Sequence, residues 1–146
     1  MSNAWSVKWV SMVLLFCVAL LFTNSGLASE ECRVVNITSG SGLAWEVARL
    51  QPNIVNIAKG GCVLWFNRTR MGDLKIRLRD EKNCENYIEA LSGFALDPES
   101  GCYGADRLAA GKSASLEFNA SGVYEYVVEY GTAPIRRLYG KVGVTD

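Results

Sequence analysis

The sequence predicts an all-β sandwich in a single exported domain. Three observations carry that reading. Glycine and turn residues interrupt the chain at short intervals beyond residue 32, with little helical periodicity between them. The segment 74–79 alternates strictly between apolar and basic side chains, the period of a half-buried strand. The whole chain has 146 residues, enough for one domain, and the cysteines beyond residue 28 form an even set.

Composition excludes several function classes. The chain has no histidine, so it has no serine–histidine or cysteine–histidine catalytic pair and no imidazole ligand for zinc, copper or haem iron. Fifteen basic and fifteen acidic side chains cancel, and a nucleic-acid binder normally carries a basic surplus.

The amino terminus reads as a cleaved secretory signal. Lys8 precedes the apolar run VSMVLLFCVALLF at 10–22, which is shorter than the roughly 20 residues that span a bilayer. Small residues at Gly26 and Ala28 place the cut after Ala28, giving a leader at 1–28 and a domain at 29–146. Bulky Phe16 before Cys17 argues against a lipoprotein site. Cleavage leaves 118 residues, a net charge of −1 and the cysteines Cys32, Cys62, Cys84 and Cys102. In an exported domain these read as two disulfides, with three possible connectivities. The expected location is periplasmic or extracellular, with no membrane span after cleavage.

The elements follow in order. A first strand at 32–37 ends in Thr-Ser-Gly-Ser-Gly. Short apolar pieces at 43–50 and 54–57 are split by Pro52, which cannot donate to a central ladder. Lys59-Gly60-Gly61 turns into 62–67 (CVLWFN), apolar enough for burial on both faces. The alternating strand 74–79 puts Leu74, Ile76 and Leu78 inside and Lys75, Arg77 and Arg79 outside. Residues 80–107 read as a long polar loop with a helical turn near 85–91. Strands resume at 113–118, 123–130 and 138–144, for a total of about seven to eight.

Three segments carry a family resemblance. Residues 55–67 (VNIAKGGCVLWFN), 118–126 (FNASGVYEY) and 138–144 (LYGKVGV) resemble, in the same order, the strands that lead to and from the metal site of cupredoxins. The resemblance implies a cupredoxin-like Greek-key β-sandwich with one long disulfide-closed loop. It places the family's copper ligands at Asp73, Val128, Gly131 and Leu138, none of which is a histidine, cysteine or methionine. Blue copper needs two imidazoles and a thiolate, so the reading is a copper-free domain with no cofactor. The implied topology sets the first and third strands parallel and adjacent, pairing Cys32 with Cys62 and leaving Cys84 with Cys102 to close the loop. Each bridge is worth about 3 kcal/mol.

Candidate sites divide between structure and recognition. The resemblance also sets the strand 74–79 antiparallel beside 123–130, so Glu125 and Glu129 are expected to pair across the sheet with Lys75, Arg77 and Arg79. Asp97, Glu99 and Asp106 read as a solvated loop, and Met71 as a lone thioether without a site. Trp45, Trp65, Tyr124 and Tyr126 read as core aromatics. Asn36, Asn67 and Asn119 head N-glycosylation sequons. The resemblance makes the loops 68–73 and 131–137 the recognition end, with Arg68, Arg70, Arg136 and Arg137 facing an acidic protein or anionic ligand. The sequence thus reads as a non-catalytic binding module, with an electron-transfer or metal-handling protein using a non-standard site as the alternative.

Overall fold

The computed structural model describes residues 31–40, 47–79 and 84–146. The expected leader at 1–28, Cys17 and Trp45 lie outside the described residues.

Eleven strands form among the described residues: β1 (Arg33–Ser39), β2 (Ala48–Gln51), β3 (Ile54–Ala58), β4 (Cys62–Arg68), β5 (Leu74–Leu78), β6 (Ile88–Ser92), β7 (Ala95–Asp97), β8 (Cys102–Leu108), β9 (Ser113–Phe118), β10 (Gly122–Tyr130) and β11 (Arg136–Thr145). They make two sheets, β2-β1-β4-β9-β6 and β3-β11-β10-β5-β8-β7. The two adjacencies that the resemblance implied are present. β1 runs parallel to β4, with Arg33 opposite Val63, and β5 runs antiparallel to β10, with Ile76 opposite Val128.

The parallel register brings the starts of β1 and β4 together, and Cys32 is bonded to Cys62 across a Cα separation of 4.6 Å. Cys84, in a 3₁₀ turn at Cys84–Asn86, is bonded to Cys102 at the start of β8 across 4.7 Å.

The core lies between the sheets. Val35, Ile37, Val63 and Trp65 face Ile76, Tyr126, Val128 and Val142, all with no exposed surface. Trp65 is the centre: its ring meets Tyr126 edge-on at 5.2 Å and Phe94 at 5.4 Å, arrangements that favour aromatic pairs beyond their buried area. β5 buries Leu74, Ile76 and Leu78 and leaves Lys75 and Arg77 half-buried, as its alternation predicts.

Three expectations are corrected. The strands number eleven among the described residues, not about seven to eight, because the stretch read as a polar loop contains β6, β7 and most of β8. The helical turn expected near 85–91 is a 3₁₀ turn followed by strand. These strands escape a period-two reading because their ladders are irregular: β8 shifts register against β5 between Leu74 and Ile76, and β6 against β9 between Ala90 and Ser92. β4 is also not buried on both faces, since Leu64 and Phe66 stay half-exposed on the outer side.

Candidate functional site

One pole of the sandwich gathers the end of β4, the start of β5, the β8–β9 turn, the end of β10 and the start of β11. Asn67 organises it. The side chain is fully buried, and its amide donates to the carbonyls of Gly72 (3.0 Å) and Leu108 (2.8 Å). Its Oδ1 accepts from the Thr69 backbone N–H (2.9 Å) and the Thr69 hydroxyl (2.8 Å). The backbone of Asn67 binds the neighbouring turn through Lys112 O and Gly111 N–H. Gly72 closes the loop at φ +85°, a conformation that favours glycine. Arg70 therefore projects from a pinned loop and Arg68, expected in that loop, is the last residue of β4; both are exposed, with Arg68 lying 5.0 Å over the Phe66 ring.

This loop meets the β10–β11 connection. Met71, Tyr130, Gly131, Thr132, Ala133, Pro134 and Arg136 line one depression of about 310 Å³. Its surroundings are basic: Arg68, Arg70, Lys75, Arg107, Lys112, Arg136 and Arg137 stand on these segments and the end of β8 against the acids Asp73, Asp106 and Glu129 among the described residues. Arg107 and Asp73 are only loosely paired, at 3.9 Å.

Two placements differ from expectation. Arg136 and Arg137 are the first residues of β11 rather than loop residues. Arg137 also has an acidic strand neighbour, Glu129, directly opposite and bonded at 2.7 Å. That bond holds the guanidinium even more firmly protonated. Arg137 is thus committed within the sheet, whereas Arg70 makes no ion pair among the described residues.

The basic row on β5 is satisfied from a different side than expected. Register puts Lys75 opposite Glu129, but Glu129 bonds Arg137 and Glu125 bonds Lys141 (2.8 Å), each its direct opposite on β11. Lys75 and Arg77 turn to Asp106 on β8 (3.3 and 3.2 Å), and Arg77 also reaches Asp97 on β7 (3.4 Å). Asp97 and Asp106 are therefore structural partners of β5. Asp97 also caps its own turn, accepting from Glu99 N–H and the Ser100 hydroxyl (both 3.0 Å). The Glu99 bond, then the Ser100 bond, hold its carboxyl below the usual range. Reversing Arg77 to glutamate would set three carboxylates together and is expected to lower stability by about 1 kcal/mol in thermal unfolding. An unchanged melting temperature would refute the pairing.

The four positions where the resemblance puts ligands do not form a cluster of donors. Val128 is wholly inside the core, Leu138 packs partly against it, and Asp73 and Gly131 are exposed. Of the three sequons, Asn67 is buried with its amide engaged and Asn36 is half-buried in β1, whereas Asn119 is exposed between β9 and β10.

Comparison with solved structures returns amicyanins. The chain is similar to the reduced Cu(I) form at pH 4 of an amicyanin variant, with 18% identity over 82% of this chain and 87% of that one and a TM-score of 0.48. It is also similar to amicyanin from Paracoccus versutus, with 19% identity over 79% and 82% and a TM-score of 0.46. An oxidised amicyanin variant gives 19% identity over 78% and 82%, with a TM-score of 0.44. No family model and no curated protein matches the chain. Among the described residues, no helix is long and apolar enough to cross a membrane.

The hub role of Asn67 was not legible beforehand. The available signal was a lone amide closing the apolar run CVLWFN, which in sequence is equally a turn residue or a sequon.

Proposed function

We propose that this protein is an exported, non-catalytic binding module that docks an acidic partner at its loop pole. The observation that carries the reading is the arrangement there: a small depression lined by Met71, Pro134 and Arg136, with Arg68 and Arg70 exposed on the segment that leads into Met71. Apolar centres with arginine at the margin are the usual composition of protein interfaces. The pole is also preorganised, because Asn67 fixes the loop before any partner arrives, which reduces the ordering cost of binding. Two disulfides support an oxidising compartment. With no histidine in the chain, imidazole-based acid–base or nucleophilic catalysis is removed.

The test is a pull-down from the native extracytoplasmic fraction with wild type, an Arg68→Glu/Arg70→Glu variant and Arg77→Glu as control. The double reversal is expected to abolish association with little change in melting temperature, since both side chains are exposed. Arg77→Glu should retain the partner, and raising salt should weaken the wild-type complex. The reading falls if the double reversal captures the same partners as wild type, or if none is recovered.

A further inference from the structure

A second pocket lies on the flank of the molecule, where β11 passes beside the chain entering β3. Its volume is about 210 Å³, and Asn53, Ile54, Arg79, Glu125, Tyr126, Tyr139, Gly140 and Lys141 surround it. Two large apolar side chains stand exposed at its rim: Ile54 at 56% and Tyr139 at 58%. The Arg79 guanidinium lies 5.4 Å over the Tyr139 ring. Glu125 is bonded to Lys141, and that bond, with a smaller contribution from the charge of Arg79, holds its carboxyl below the usual range; Arg79 itself makes no ion pair within 4 Å among the described residues. The lining charges sum to one net positive.

Behind the rim, Gly140 leaves its inner face bare. The Tyr126 ring fills the space where a Cβ would stand and packs inward against Trp65. Tyr126 Oη is fully buried and has no partner meeting hydrogen-bond geometry, and the same holds for the facing Trp65 Nε1. Burial pushes the phenol up to about 12, with Trp65 drawing weakly the other way, so the hydroxyl keeps its proton.

We propose that this pocket binds a small organic carboxylate carrying a flat ring, with the ring against Ile54 and Tyr139 and the carboxylate on Arg79. Guanidinium presents a planar fork of donors that matches carboxylate, and the exposed aromatic and aliphatic pair supplies an apolar wall. The volume falls below the 300–1,000 Å³ or so of pockets for drug-sized ligands, which limits the ligand to about one ring.

The probe is benzoate, followed by amide chemical-shift titration of the disulfide-bonded domain, with benzamide lacking the charge and acetate lacking the ring. Benzoate is expected to saturate with shifts centred on residues 53–54, 79 and 139–141, and both controls to bind at least about tenfold more weakly. Arg79→Gln and Tyr139→Ser should each weaken benzoate by about tenfold. Four results would overturn the proposal: no saturation, acetate binding as well as benzoate, variants binding like wild type, or shifts at Arg68, Arg70 and 131–136. The last outcome would assign the anion to the basic pole, and none of the four bears on whether an acidic partner docks there.

Discussion

Asn67→Ala is expected to destabilise the protein by about 3 kcal/mol and to release the 68–73 loop. The side chain is a four-way clamp, donating to Gly72 O and Leu108 O while accepting from the Thr69 N–H and hydroxyl. Alanine leaves all four partners without it. Leu108 lies buried, where an unsatisfied polar group costs about 1–3 kcal/mol. Water replaces the lost partner more readily at exposed Gly72. Asn67→Asp separates the two halves of the clamp. It keeps an acceptor for Thr69 but removes both donors and sets a carboxylate against two carbonyl oxygens, so it should cost at least as much as alanine near neutral pH. Denaturant unfolding gives the stability change, and amide exchange at residues 69–72 and 111–112 reports the loop and turn. A loss below about 1 kcal/mol, or unchanged exchange there, would show that the pole is held by something other than Asn67.

What the sequence disclosed follows from how regular each ladder is. β5 was legible because its register against β10 is unbroken, so Leu74, Ile76 and Leu78 face one way throughout. β8 was not, because its shift against β5 makes Asp106 and Arg107 exposed neighbours, a pattern that looks like a loop in one dimension. Charge partners were misassigned for a related reason. Glu129 lies opposite Lys75 on one side and Arg137 on the other, and only the three-dimensional arrangement decides between them. Of the arginines expected at the recognition end, Arg68 and Arg70 are presented outward, while Arg137 is held by its own sheet. The flank pocket left no sequence trace, since it joins Asn53, Arg79 and Tyr139 from segments far apart in the chain.

Gly140→Ala should be among the most disruptive single-methyl additions, costing about 3 kcal/mol. An added Cβ would overlap Tyr126 Cζ and Oη and lie 2.6 Å from Cε1. The ring has nowhere to retreat, because it is fully buried and Trp65 packs edge-on against it at 5.2 Å. Overpacking of this kind usually costs about 1–3 kcal/mol, and the rigid partner puts this case at the upper end. The cost comes from packing rather than backbone strain, which a double-mutant cycle can show. Tyr126→Leu removes the colliding ring, so Gly140→Ala in that background should cost under about 1 kcal/mol, a coupling of about 2 kcal/mol. Tyr126→Phe keeps the ring and should give no such relief. Gly60→Ala supplies the opposite control: it has open space around it but φ +82°, so its cost of about 1 kcal/mol is conformational and should be identical in every Tyr126 background. If Gly140→Ala behaves like Gly60→Ala, equally costly with tyrosine or leucine at 126, the collision is not what makes glycine necessary at that position.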